Sequence, residues 1–308
     1  MKVLLTGAAG QLGHALRRQL PPGVELIATS RNGDGGAGGG PGGGGLRPLD
    51  LADASACRAA VLEHRPDWVL NAGAYTAVDR AESEPELALA VNGAAPRAFA
   101  EALAGTGGRL LQVSTDFVFN GQQGSPYRPE QSRDPLGAYG RTKAAGEEAV
   151  EQLLASSGQG VILRTSWVIG PVGKNFALTM LRLHRERGAS GQALGVVEDQ
   201  VGCTTSTTTL AAACWRVITA NLQAPVLHWS DAGAASWFDV AVAVGELAQE
   251  LGLLEQPAPV KPLTTAEYPL PAQRPSYSLL DCSSSRRLLD LPPIPWRQTL
   301  RTLLESLR

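Results

Sequence analysis

Two periodicities alternate along the first half of the chain. Short apolar runs, the mark of strands buried on both faces, separate segments whose apolar residues return every three or four positions, as on a helix packed by one face. The runs predict strands at 3–6, 25–30, 47–51, 68–72, 109–114 and 160–166. Between them the pattern predicts helices at 11–19, 54–64, 85–104 and 143–154. Strands and helices in strict alternation imply an α/β fold, a Rossmann-like doubly wound parallel sheet with right-handed crossovers. The second half is less regular. Helices are expected at 175–187, 207–222, 237–251 and 297–307, one more strand at 225–230, and a proline-rich, loop-like stretch at 256–275.

Composition sharpens this picture in a few places. The chain has 308 residues, enough for one large or two moderate domains, and a formal net charge of -2. Near-neutral charge argues against a nucleic-acid partner, since phosphate binding needs a basic surface. No apolar stretch is long enough to span a membrane. Four scattered cysteines without C-x-x-C spacing and no recognisable leader fit a reduced, cytoplasmic protein. Glycine is the odd number: ten of the 35 fall at 33–45, in GDGGAGGGPGGGG. That run is expected to be a flexible, solvated loop inserted between the second and third strands.

Candidate chemistry lies at the ends of the predicted strands. Gly7-Ala-Ala-Gly10-Gln-Leu-Gly13 follows the first strand and opens the first helix, where glycines let the backbone approach a pyrophosphate seated on free N–H groups. The second strand ends in Ser30-Arg31, with no acid there to bind a ribose 2′-hydroxyl; an arginine suits a 2′-phosphate, so NADPH is the expected cofactor and NADH the alternative. Asp50 and Leu51, after the third strand, are candidates for the adenosine side. Tyr139 and Lys143 stand at i and i+4 on one helix face. A cation there favours the phenolate and brings an acid with an ordinary value near ~10 toward working pH. Ser114-Thr115-Asp116, after the fifth strand, presents Thr115 at the crevice, where a tyrosine acid can protonate a carbonyl oxygen as hydride reaches its carbon.

These motifs, with Asn71-Ala-Gly-Ala-Tyr-Thr-Ala-Val-Asp79 and Ser114-Thr-Asp-Phe-Val-Phe119, resemble the extended short-chain dehydrogenases/reductases, and within them the dTDP-4-dehydrorhamnose reductase family. Arg164-Thr-Ser-Trp167, Asn175-Phe176, Asp199-Gln200-Val-Gly202 and Ala272-Gln-Arg274-Pro275 with Ser278 extend the resemblance over almost the whole chain. It implies a catalytic set of Thr115, Tyr139 and Lys143. It implies a cofactor site of Gly7, Gly10, Gln11, Leu12, Gly13, Ser30, Arg31, Asp50, Leu51, Asn71, Ala72, Ala74 and Tyr75, shared with Tyr139 and Lys143. Asp116, Phe117, Trp167, Asn175 and Arg274 would meet a dTDP-sugar. The implied organisation is an NADP-binding domain at 1–169, rejoined by 205–240, and a smaller, irregular substrate-binding domain at 170–204 and 241–308. The implied reaction is NADPH-dependent reduction of dTDP-4-dehydro-β-L-rhamnose to dTDP-L-rhamnose.

Departures from the family pattern leave alternatives open. His14-Ala15 stands where many relatives carry an acid linked to a magnesium-bound dimer, so no metal site is expected and the chain should be a monomer or weak homodimer. Thr204 replaces a usual proline, Tyr75 a usual histidine and Phe117 a usual tyrosine. His14, His64, His184 and His228 show no metal-ligand spacing, and Asp79, Glu82, Glu84 and Glu86 read as a solvated helix start. The competing functions are reduction of another nucleotide-linked 4-keto-6-deoxy sugar, and a non-catalytic nucleotide-binding regulatory subunit of the same fold.

Overall fold

Seven parallel strands build the central sheet: β1 (Lys2–Thr6), β2 (Glu25–Ser30), β3 (Arg47–Pro48), β4 (Trp68–Asn71), β5 (Arg109–Thr115), β6 (Gly160–Thr165) and β7 (Val226–Trp229), in the order β7-β6-β5-β4-β1-β2-β3. The computed structural model describes residues 1–33 and 45–308. The expected flexible glycine loop at 33–45 therefore falls, from 34 to 44, outside the described residues.

Side chains alternate along each strand and feed two layers. Val3, Leu5, Leu111 and Leu163 pack against α1 (Gln11–Arg18) and a helix of the second half, Thr207–Thr219. Leu4, Val69, Leu110 and Ile162 pack on the other face against α2 (Ala54–His64), α3 (Ala95–Thr106) and α4 (Ala138–Leu154). Local chemistry sets the ends of these elements. Asp53 caps α2 by accepting from the N–H groups of Ser55 and Ala56, both at 2.9 Å, and Arg65 closes it in the left-handed region. A separate core gathers α5 (Phe176–Arg187), α6 (the Thr207–Thr219 helix's successor, Trp237–Glu250) and α7 (Trp296–Glu305) around Val240, Val244 and Leu300.

Three expectations need correction. The helix read as continuous over 85–104 is a short helix at Pro85–Leu89, a π-helical turn at Ala90–Ala94 and then α3. The wide turn buries the polar Asn92 and leads into Pro96, which cannot donate to an α-helical ladder. The third strand is two residues long rather than five, because exposed Pro48 cannot extend an edge ladder. Within the loop-like stretch, Val260–Leu263 is a strand paired in parallel with Leu194–Val197; its proline is tolerated in so small a sheet. A further helix, Ser283–Leu289, lies where the hydrophobic pattern shows none.

Behind the sheet's carboxyl edge lies a buried ion pair. Glu147 of α4 and Arg164 of β6 are 0 % and 2 % exposed, joined by hydrogen bonds of 2.7–3.2 Å. Arg133 reaches Glu147 at 3.2 Å and Glu151 at 2.8 Å, and the Arg164 guanidinium lies over the Phe119 ring. His228 packs beside Arg164; burial first, then that positive charge, push it down to about 3, so it stays neutral. Removing one partner of such a pair strands the other without water. Glu147→Ala is expected to lower unfolding stability by about 3–5 kcal/mol in urea denaturation. A loss below about 1 kcal/mol would show that Arg164 finds other company.

Candidate active site

The crevice opens where the strand order reverses, between the carboxyl ends of β1 and β4. Gly7 leaves β1 with φ +67°, and a Cβ on it would lie 2.6 Å from Gly73 Cα, so the two strand ends approach backbone to backbone. A Cβ on Gly13 would collide with the Gly7 carbonyl and Ala8, so this glycine lets α1 sit against the turn. Gly10 is the N-cap of α1, and no side chain caps it among the described residues. The first-turn N–H groups of Gln11, Leu12 and Gly13 thus form an anion-binding helix start. These N–H groups suit a pyrophosphate, and the bare Gly7 lets the β1 turn lie against Gly73 beside them.

The flanking positions divide by what holds them. The Asn71 amide is tied to Thr6 (2.5 Å) and Gln112 (2.7 Å), and Thr6 Oγ1 also accepts from Gly73 N at 3.1 Å, so Asn71 acts by locking β1, β4 and β5 together. Leu51 packs over Gly73, with Ala72 and Ala74 on the same turn. Ser30 is buried and accepts from Leu49 N at 2.8 Å, Arg31 is exposed at the end of β2, and the Asp50 carboxylate faces solvent while accepting from Ala52 N at 3.0 Å. The Tyr75 hydroxyl donates to Glu84 at 2.6 Å, and Arg80 pairs with the same carboxylate at 2.5 Å.

Thr115, Tyr139 and Lys143 come together. Thr115 ends β5 and starts a short 3-10 turn at Asp116–Val118; its Oγ1 accepts from Phe117 N at 3.2 Å and donates to Asp116 Oδ1 at 3.0 Å. Tyr139 lies in the first turn of α4, whose leading N–H, from Ala138, donates to Glu82 at 2.7 Å. The Phe117 ring meets Tyr139 edge-on at 5.6 Å. Lys143 is 3 % exposed, and its ammonium donates to the Val113 carbonyl of β5 at 2.7 Å.

The protonation states differ from the simple expectation. Burial pushes the Tyr139 phenol up to about 12; Thr115 opposes the shift and the charge of Asp116 adds to it. Lys143, turned onto a β5 carbonyl, does not bring the phenol down, which corrects the expected phenolate tuning. Burial takes Lys143 itself down to about 8, opposed by Glu147. Burial raises Asp116 to about 6, against the lowering effect of the Ser278 and Thr115 hydroxyls.

Of the residues expected at a sugar nucleotide, Asp116 and Phe117 sit in the turn after β5, whereas Trp167, Asn175 and Arg274 come from later in the chain. Trp167, held at φ +45°, stacks on Trp237 at 3.7 Å, and a Cβ on Gly202 would come 2.8 Å from its ring. Asn175 caps α5 and donates to Gln11 Oε1 at 2.8 Å, joining the substrate side to the phosphate loop. Arg274 is paired through both terminal nitrogens with Asp79, at 3.0 and 2.9 Å, so Asp79 is an ion-pair partner rather than part of a solvated helix start. Phe176, Trp237, Tyr268, Arg187 and Arg274 line a groove of ≈ 630 Å³. The first turn of α1 has no acid, and among the described residues no group of three or more His, Cys, Asp or Glu could hold a metal ion.

Glu82, read as part of a solvated helix start, instead accepts from Ala138 N at 2.7 Å, and Asn92 had no reading in the sequence. Asn92 accepts from Tyr75 N (2.9 Å) and donates to Tyr75 O (3.0 Å) and Thr142 Oγ1 (3.2 Å), pinning the loop after β4 to α4. Its only signal was a lone amide in an otherwise apolar helical pattern.

The family model described as "RmlD substrate binding domain" matches residues 1–308. A "dTDP-4-dehydrorhamnose reductase" of Streptomyces griseus is 40% identical over 96% of this chain and 91% of its own. A "Probable dTDP-4,6-dihydroxy-2-methyloxan-3-one 4-ketoreductase" of Streptomyces antibioticus is 39% identical over 98% of this chain and 94% of its own. The solved dTDP-4-dehydrorhamnose reductase of Bacillus anthracis, in complex with NADP, superposes with a TM-score of 0.83 at 31% identity, covering 99% of both chains.

Asn92→Ala removes a buried amide and leaves the Tyr75 backbone unpaired. It is expected to cost about 2 kcal/mol of stability and to speed hydrogen exchange at the Tyr75 amide. Unchanged exchange there would show that something else holds the loop.

Proposed function

The chain belongs to the dTDP-4-dehydrorhamnose reductase family, and from that premise we propose how its residues serve the reaction. The protein is an NADPH-dependent oxidoreductase of nucleotide-sugar biosynthesis, reducing the C4 ketone of dTDP-4-dehydro-β-L-rhamnose to dTDP-L-rhamnose. The observation that carries the residue assignment is the convergence of Thr115, Tyr139 and Lys143 beside the Gly7–Gly13 cradle.

NADPH, when bound, supplies the hydride. The α1 N-terminus holds its pyrophosphate, with Gly7 and Gly13 allowing the close backbone packing that shapes the turn, and Arg31 takes the 2′-phosphate. Ser30, Asp50, Leu51, Ala72, Ala74 and Tyr75 line the rest of that site. Tyr139 donates its proton to the C4 oxygen; a phenol raised to about 12 is fully protonated at neutral pH and gains acidity only as the oxygen becomes basic. Thr115 hydrogen-bonds the same oxygen. Lys143 binds the nicotinamide ribose through its ammonium, which is lost as pH rises past about 8. Asp116, Phe117, Trp167, Asn175 and Arg274 hold the sugar nucleotide, with 1–169 and 205–240 as the cofactor domain and the remainder as the substrate domain. The protein acts in the cytoplasm as a monomer or weak homodimer; no helix of the described residues is long and apolar enough to cross a membrane.

The Streptomyces antibioticus relative, named for a different dTDP-linked ketone, favours a second reading in which another 4-keto-6-deoxy sugar is the substrate. NADPH oxidation against a panel of 4-keto dTDP-sugars separates the two by kcat/KM. Tyr139→Phe is expected to lower kcat by about two to four orders of magnitude with NADPH affinity little changed; turnover like the wild type's would remove Tyr139 as the acid. For Arg31→Ala, titration should show NADPH binding weakened at least about tenfold and NADH binding nearly unchanged. Equal losses would take the 2′-phosphate away from Arg31.

A further inference from the structure

Asp116 is 2 % exposed; its Oδ2 makes no well-formed hydrogen bond among the described residues, although the Ser278 hydroxyl is near enough to favour the carboxylate. Its other oxygen lies 3.0 Å from Thr115 Oγ1, which also accepts the Phe117 N–H at 3.2 Å. A hydroxyl has one proton and two acceptor positions. While Asp116 is ionised it can only accept, so the single proton of Thr115 points at the carboxylate and away from any substrate. Once protonated, Asp116 can donate into the second acceptor position of Thr115, and the Thr115 proton turns free toward the crevice.

We propose that Asp116 is a positioning residue for ketone reduction: its proton decides whether Thr115 can donate to the substrate's carbonyl oxygen. The inference rests on the reductase reading above. Burial favours the proton-bearing form and outweighs the Ser278 and Thr115 hydroxyls, which favour the carboxylate. The surroundings allow the exchange. Tyr139, from α4, faces Asp116 as a neutral phenol. Lys143, from the same helix, turns its ammonium to the Val113 carbonyl. The C-terminal segment contributes the Ser278 hydroxyl, and Thr115 and Phe117 complete the shell. No net proton passes through Asp116 in turnover: Tyr139 gives the proton to oxygen, the cofactor gives hydride to carbon, and Thr115 and Asp116 keep theirs.

The sign follows from the neutral acid being the productive form. Asp116 holds its proton below about 6 and loses it above, so kcat/KM should fall as pH rises through that region. Loss of one of two donors to the oxygen sets the drop on the order of tenfold between pH 5 and pH 7.5, down to a plateau sustained by Tyr139 alone. Asp116→Asn cannot ionise, so at whatever level its loss as a sugar contact leaves kcat/KM, the profile should be flat with pH. Thr115→Val should be flat near the wild-type high-pH rate. The proposal is overturned if the wild type shows no step or if either variant keeps it. Should Asp116→Asn fail to fold, the Thr115→Val profile still decides. A wild type that reduces no 4-keto dTDP-sugar sinks the reductase reading itself, whereas normal turnover with a misplaced step sinks only the role of Asp116.

Discussion

Exclusion of water from the carboxyl end of β5 and the first turns of α4 governs the chemistry of this site. The same desolvation raises Tyr139 to about 12, raises Asp116 to about 6 and lowers Lys143 to about 8. Each shift favours the neutral form, as removal from water must. For a reductase the direction is useful, because a ketone being reduced needs a proton donor. A phenol that holds its proton until the carbonyl oxygen turns basic does not ionise beforehand. Lys143 follows the same trend, but the negative charge of Glu147 one turn on opposes it, so the ammonium survives at neutral pH.

That dry environment depends on how α4 is fixed. Its start is held by Glu82, its inner face by Asn92 through Thr142, and its middle by the Glu147–Arg164 pair. Buried ion pairs add little net stability compared with apolar packing, but breaking one is costly. The pair therefore acts as a registration device, fixing α4 along β6 so that Tyr139 and Lys143 meet Thr115 and Val113. A slip of one helical residue is about 1.5 Å along the axis and turns each side chain by about 100°, which would carry the phenol away from Thr115.

The fold was legible in the sequence where one period dominated. β2, with its hydrophobic run, and α2, with Asp53 ahead of it, begin and end where the pattern placed them. Legibility failed where tertiary contacts decide. No local rule predicts a π-helical turn whose reason is the reach of Asn92 to a loop seventeen residues earlier. The site divides in the same way. Gly7, Gly13 and Tyr139 could be named because each carries a spacing tied to a function. The partner of Arg274 could not, since Asp79 is nearly two hundred residues away in the chain. Nor could the orientation of Lys143, because periodicity places it on the Tyr139 face without saying which carbonyl it meets.

The long-range contacts have one more consequence: the two halves are joined beside both ligand sites. Gln11, in the first turn of the phosphate-binding helix, accepts from the Asn175 amide, and the same amide caps α5 and donates to the Gly170 carbonyl. On the opposite wall Asp79, shortly after the β4 turn, holds Arg274 and the Ala272 N–H. A dinucleotide that settles Gln11 against its pyrophosphate would also settle the start of α5. An anionic ligand reaching Arg274 must compete with Asp79, whose carboxyl is held below its ordinary value chiefly by that hydrogen-bonded guanidinium. On the proposed assignment, cofactor and substrate would meet surfaces that already touch, and these two polar contacts would be enough to couple them.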